Sequence, residues 1–148
     1  MQQSRAALVV IPVFLNEHCP EALGATLPSI RGLVAAPGIF AKRHFSALNE
    51  PGLPQALKHS GRDQVLVAGT GAHVCVTQTM PGLLPADYRC WPAADAVGSR
   101  RQEDRKAAVE RLRDAGVTPA SAEKALFEWA GPAGYPAFRA ILSPVMSY

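Results

Sequence analysis

The sequence predicts an α/β fold built on a mostly parallel sheet, and three stretches carry that prediction. Val65 to Ala68 is an unbroken apolar run that passes through a glycine-bearing turn, Gly69 to Ala72, into a helix start carrying Cys75. Such a run suits a strand covered on both faces, and a tight glycine turn into a helix is how an α/β sheet presents a side chain at its carboxyl edge. Gln102 to Asp114 turns Ala108 and Leu112 inward, with Ala115 just beyond, and closes at Gly116, as an amphipathic helix does. Ala6 to Leu15 is apolar and β-branched, broken by Pro12, and reads as a core strand. The expectation is a single domain over residues 1–148, with about five strands and helices on both faces of the sheet.

Taken in order, Glu21 to Val34 reads as a loop leading to a short helix, and Ala36, Pro37 and Gly38 form a break. Ile39 to Ala41 is a short strand running into Lys42. By themselves Lys42, Arg43 and His44 read as a solvated basic face. Leu53 to Ser60 is a helix stopped by Gly61, and Asp63 stands at the amino end of the strand that leads to Cys75. Beyond Cys75 the helix meets Pro81 and Gly82, and an interior proline removes a hydrogen bond and clashes with the turn before it. A kink or early stop near Thr77 is expected. Tyr88 to Ala94 is a strand in which Pro92 cannot donate to a ladder and belongs at an edge or bulge. Asp95 ends that strand at the carboxyl edge. Val117 and Thr118 are a short last strand, and Ser121 is a candidate N-cap for a helix through Ala130. Phe127 and Trp129 are packing or subunit-contact residues, and residues 132–148 form a covering helix with Tyr135, Phe138, Ile141 and Leu142.

The composition narrows the partners. At 148 residues the chain can bury about two thirds of its unfolded surface in one core. The formal charge of +3 comes from Lys and Arg scattered singly or in pairs, with Glu and Asp between them from Arg100 to Asp114. No nucleic-acid or membrane patch is expected. Cys19, Cys75 and Cys90 are odd in number and lack C-x-x-C spacing, which suggests neither a disulfide framework nor a zinc knuckle. A reducing, cytoplasmic setting fits. The opening MQQSRAALVVIPVF has one positive charge before its short apolar run and no small-residue cleavage site, and no stretch approaches transmembrane length.

Cys75 carries the chemistry if anything here does. A thiol in the first turn of a helix meets the positive end of the macrodipole and unpaired N–H groups, which favour a nucleophilic thiolate. The plainer alternative is a buried, inert cysteine. Val67 to Thr79 reads V-x-G-x-x-x-H-V-C-V-x-Q-T. With KRHFSAL at Lys42 to Leu48, ADAVGSR at Ala94 to Arg100, AAVERLRDAG at Ala107 to Gly116 and ALFE at Ala125 to Glu128, it resembles the isochorismatase-like cysteine hydrolases. The resemblance runs from Pro12 onward.

That resemblance implies a three-layer, isochorismatase-like α/β fold in which Cys75 is the nucleophile and Lys42 sets its ammonium beside the thiol. It also implies a cis peptide between Thr70 and Gly71, and an oxyanion hole made by the amides of Gly71 and Cys75. His73 reads as a general base or as a residue that caps or packs against the first helical turn. Asp95 accompanies the base in the family, or accepts hydrogen bonds from the Gly98 to Arg100 loop. Family members open with two strands separated by a long helix, the first strand ending in a basic aspartate. Here either Pro12 occupies that place or the aspartate and its helix are absent, so the chain reads as shortened by one strand and one helix. The implied function is hydrolysis of a small amide, imide or ester through a Cys75 thiolate and an acyl-enzyme. The alternative is a catalytically impaired, shortened homologue serving as a binding or subunit protein. Nicotinamidases of this resemblance carry an Asp and His metal site. No D-x-H pair or comparable spacing exists among His18, His44, His59 and His73, so neither metal nor cofactor is expected. A small-molecule substrate and self-association into a homo-oligomer are expected.

Overall fold

The computed structural model describes residues 11–131, 134 and 138–143. In chain order its elements begin with β1 (Leu15–His18), α1 (Pro20–Leu23), α2 (Pro28–Arg31), β2 (Ile39–Lys42) and α3 (Gly52–Ser60). Next come β3 (Gln64–Thr70), a π-helical turn (Ala72–Val76), α4 (Thr77–Thr79), β4 (Arg89–Gly98), α5 (Gln102–Asp114), α6 (Ala122–Ala130) and α7 (Phe138–Leu142). This is an α/β arrangement. The chain divides into two compact units, residues 1–41 with 123–148, and residues 42–122.

In the first unit β1 pairs with β2. The connection between them makes two single helical turns, α1 and α2, each opened by a proline at a first-turn position where the missing N–H is no loss. Glu17 holds this connection. It is buried, and its Oε1 accepts the backbone N–H of Thr26 at 3.0 Å and pairs with the guanidinium of Arg31. The Arg31 hydrogen bond, and after it that of Thr26, keeps the Glu17 carboxyl below its ordinary range. The first half of the strand expected from Ala6 to Leu15 lies outside the described residues, and β1 starts only at Leu15. Ala130, Ile141 and Leu142 form a buried cluster with Leu126 and Phe138 against it. Phe127 meets Phe138 edge-on at 6.5 Å, a packing role as expected, while Tyr135 lies outside the described residues.

In the second unit β3 and β4 run parallel, in register from Gln64↔Arg89 to Val67↔Pro92. The register then jumps to Gly69↔Val97, so residues 93–96 bulge out of the ladder. Pro92 stands at the last pair before the bulge. The alternation of backbone directions explains why it fits there. Arg89 donates its N–H to Asp63, on the β3 side, so even-numbered residues direct theirs to the other side. On that side there is one bridge among the described residues, Ala93↔Ala120, in which the Pro92 carbonyl accepts from Ala120 and the Ala94 amide donates to Ala120. The missing N–H of Pro92 therefore breaks no ladder bond with β3. Arg105 of α5 takes up carbonyls of the bulge, donating from Nε to Val97 at 3.0 Å and from Nη2 to Ala94.

Four sequence expectations change here. The described residues form two separate strand pairs in place of a sheet of five strands. β3 is half-buried at best and not covered throughout, because β4 alone pairs with it among the described residues. Val117 and Thr118 form no strand. Val117 instead donates to the Leu112 carbonyl and Gly116 to Arg113, a Schellman cap that uses the left-handed φ of +89° at Gly116, and Pro119 cannot extend a ladder. Ala115, as the capping residue, turns to solvent, and Ala108 and Leu112 alone make the buried seam of α5. The early stop expected near Thr77 is present, since α4 ends at Thr79, ahead of Pro81. The chain passes from the π-turn through α4 and tightens to a 3-10 turn at Met80–Gly82, whose opening residues need no donor.

Replacing Arg105 with methionine removes two charge-assisted bonds to the bulge and is expected to lower stability by about 2 to 3 kcal/mol. Lysine, which cannot fork between two carbonyls, should recover only part of it. Urea unfolding of the three proteins checks this, and equal midpoints would refute it.

Candidate active site

The strand-to-helix turn is made by glycine torsions. Gly71 sits at φ +80°, ψ 38°, a left-handed conformation that favours glycine, although a Cβ there would make only an ordinary contact 3.5 Å from the Cys75 sulfur. No peptide bond among the described residues is cis, and the Thr70–Gly71 bond is therefore trans. The turn instead carries positive φ at Gly69 and Gly71. The Gly71 carbonyl then accepts three amides, Val74 at 3.0 Å, Cys75 at 2.8 Å and Val76 at 3.2 Å. The bond from Val76 spans five residues, which gives the turn its π character. The Cys75 amide, expected as an oxyanion donor, is thus engaged inside the turn. Cys75 itself is half-buried and unbridged.

Lys42, the last residue of β2, reaches this thiol. It is 5% exposed, and its Nζ lies 3.5 Å from Cys75 Sγ. The same ammonium donates to the carbonyls of His44 at 3.1 Å and Phe45 at 3.0 Å. A solvated basic face is the wrong description for Lys42 but the right one for its neighbours. Arg43 and His44 are exposed, and the chain doubles back so that Glu50 Oε1 receives both their backbone amides, at 2.7 and 3.2 Å, and the His44 ring at 2.9 Å. These bonds, the Arg43 amide first, lower the Glu50 carboxyl from 4.5 to about 2.

The remaining expected residues have other tasks. His73 is exposed and its Nδ1 lies 2.9 Å from Ser99 Oγ, which ties the π-turn to the end of β4 and neither caps nor packs under the first turn. Asp95 is exposed, and its Oδ1 accepts the Ala122 amide at 2.8 Å, the first residue of α6, in place of the Gly98 to Arg100 loop. The bulge carries it there. Thr79, the last residue of the V-x-G-x-x-x-H-V-C-V-x-Q-T stretch, has a role that its place in the sequence does not assign. Its hydroxyl donates to the Cys75 carbonyl at 2.7 Å and accepts the Ala47 amide at 3.0 Å. A threonine four residues past Cys75 is the available signal, since its hydroxyl can reach the carbonyl one turn back. Glu50 left no such signal. No group of three or more His, Cys, Asp or Glu side chains suited to a metal occurs among the described residues. A groove of about 720 Å³ is lined by Ser46, Asn49, Thr77, Gln78 and Arg111 among others, but its lining does not include Cys75 or Lys42.

A sequence profile described as the isochorismatase domain matches residues 6–124. The chain belongs to the isochorismatase family. This isochorismatase domain is 36% identical over 146 residues to the secreted isochorismatase effector Isc1 of Phytophthora sojae, covering 93% of this chain and 68% of that one. It is 34% identical over 139 residues to isochorismatase domain-containing protein 2 of Homo sapiens, covering 92% of this chain and 65% of that protein. Against isochorismatase domain-containing protein 1 of Danio rerio the identity is 33% over 137 residues, with 92% and 48% covered. The domain thus spans about half to two thirds of the length of these relatives. Among solved structures, the MAR1 ribonuclease of Caenorhabditis elegans aligns with a TM-score of 0.88 and 30% identity over 96% of this chain and 73% of that one. The YcaC gene product of Escherichia coli, described as an octameric hydrolase of unknown specificity, aligns with a TM-score of 0.73 at 20% identity over 79% of this chain and 58% of that one, a likeness of fold alone.

The depressed carboxyl of Glu50 sets a pH dependence for the loop after Lys42. An unfolded glutamate protonates near 4.5 and the folded one near 2. The stabilisation is therefore complete above pH 4.5 and lost as pH falls through 2. Protection of the Arg43 and His44 amides against hydrogen exchange, taken relative to the unfolded chain at the same pH, should fall over that window, and a Glu50→Gln variant should show a weaker pH response. Identical profiles for the two proteins would refute the assignment.

Proposed function

We propose that the chain is a cysteine hydrolase acting on a small amide, imide or ester, with Cys75 as nucleophile. One observation carries this reading, the buried Lys42 ammonium 3.5 Å from a half-buried thiol. A buried cation beside sulfur is complementary to negative charge at the reacting centre. Sγ attacks the carbonyl carbon, the C–N or C–O bond breaks with the leaving group taking a proton, and water then cleaves the thioester. Lys42 stands where it can offset charge during the attack. The Gly71 amide is the remaining candidate oxyanion donor. Asp95, spent on the Ala122 amide, supplies no base to the thiol in this conformation. Base assistance of this kind is worth roughly a hundred- to ten-thousand-fold, so acylation should be better preserved than deacylation.

The engaged Cys75 amide and the diverted Asp95 favour a second reading, a catalytically impaired homologue acting as a binding or subunit protein. A burst experiment with p-nitrophenyl acetate separates the two. The hydrolase reading expects an acetyl group on the Cys75 peptide by mass spectrometry, none in Cys75→Ala, and acylation slowed about a hundred-fold in Lys42→Ala. No acylation of Cys75, or a rate indifferent to Lys42, would leave the second reading.

We also propose self-association and a reducing, cytoplasmic setting. Leu23, Leu27, Ile30 and Leu33 are 72%, 66%, 47% and 41% exposed within one short stretch of the first unit, apolar side chains that a subunit contact would cover. All three cysteines are free, which suits a reducing compartment. No helix among the described residues is long and apolar enough to cross a membrane. Light scattering after size exclusion should give an oligomer, and a Leu27→Glu, Ile30→Glu double variant a smaller species. A monomeric parent protein would overturn the proposal.

A further inference from the structure

We propose that Thr79 is a positioning residue that sets the distance between Lys42 and Cys75. The inference rests on reading those two side chains as the reacting pair. A hydroxyl has one proton and two lone pairs, and both kinds of capacity are used here in a fixed sense. The proton goes to the Cys75 carbonyl at 2.7 Å and a lone pair takes the Ala47 amide at 3.0 Å. Ala47 lies two residues beyond Phe45, whose carbonyl, with that of His44, receives the Lys42 ammonium. The circuit closes through the 3.5 Å contact from Nζ to Sγ. Thr79 and Ala47 are 9% and 5% exposed, so water cannot readily replace either bond.

This geometry separates a positioning role from mere packing. Valine keeps the shape of threonine and loses the hydroxyl, while serine keeps the hydroxyl and loses a methyl. Within the circuit, Thr79 is the link that joins the backbone of the Cys75 helix to the segment after Lys42. Without the hydroxyl, the segment that bears the Lys42 acceptors is released from the helix that bears the thiol, and the ammonium drifts from the sulfur.

The test is the rate of Cys75 alkylation by iodoacetamide, followed peptide by peptide, with Cys19 as internal reference. Thr79→Val should slow alkylation roughly tenfold, the scale of a reacting group displaced by a fraction of an ångström to an ångström. Thr79→Ser should return it to within about twofold. Lys42→Ala should slow it as well, and the Thr79→Val, Lys42→Ala double variant should be no slower than Lys42→Ala alone, since both changes break one circuit. A folded Thr79→Val protein with the parent rate, failure of serine to rescue, or multiplying effects in the double variant would overturn the proposal. Should the valine variant not fold, the unaltered chain provides the measurement. Blocking Cys75 with iodoacetamide should change hydrogen exchange at the Ala47 amide at least threefold, and no change there refutes the coupling. Alkylation needs no substrate, so the two readings fail separately. A chain that never acylates but shows the Thr79 effect loses only the hydrolase reading, and an active hydrolase with a Thr79-independent rate loses only this one.

Discussion

An ammonium group taken out of water costs several kcal/mol unless acceptors replace the water, and Lys42 at 5% exposure obliges the chain around it to supply them. Residues 43–50 are shaped by that demand. Two successive carbonyls, those of His44 and Phe45, turn inward to the ammonium. Turning them in leaves the amides of Arg43 and His44 to be satisfied from outside, which Glu50 does with a single oxygen. The Ala47 amide, in turn, is met by Thr79. One buried charge thereby dictates the course of the segment after β2 and brings the cation against the thiol.

The thiol is placed by a second constraint, the geometry of β3 and of the turn at its carboxyl end. A parallel strand must hand over to a helix at its carboxyl edge, and here the handover uses two glycines of positive φ and a π-turn gathered on one carbonyl. The same turn engages the Cys75 amide. The turn therefore favours contact between thiol and cation and leaves the Cys75 amide engaged.

β4 explains how the chain carries prolines and an exposed carboxylate without loss. Pro92 lies where its absent N–H would face a single bridge, and Pro81 opens a 3-10 turn. Two residues that look like defects in the sequence are thus no penalty in place. The bulge after Pro92 exposes carbonyls that Arg105 takes up, and it swings Asp95 to the start of α6. Asp95 has a structural use in this chain, accepting the Ala122 amide.

Local signals in the amino-acid order were enough for the fold class, the family and several of the elements. The helices Gly52–Ser60, Gln102–Asp114 and Ala122–Ala130 come from apolar spacing and stop residues, and the strand, turn and cysteine of residues 64–75 come from an apolar run ended by glycines. The nearness of Lys42 to Cys75 was legible only through resemblance, because nothing in KRH distinguishes a buried cation from a solvated one. Other features belong to the folded chain and to no local pattern. Where Asp95 points and what Thr79 joins depend on the bulge and on residues far apart in the chain. A register shift of a few residues changes every partner downstream while leaving each local pattern as it was.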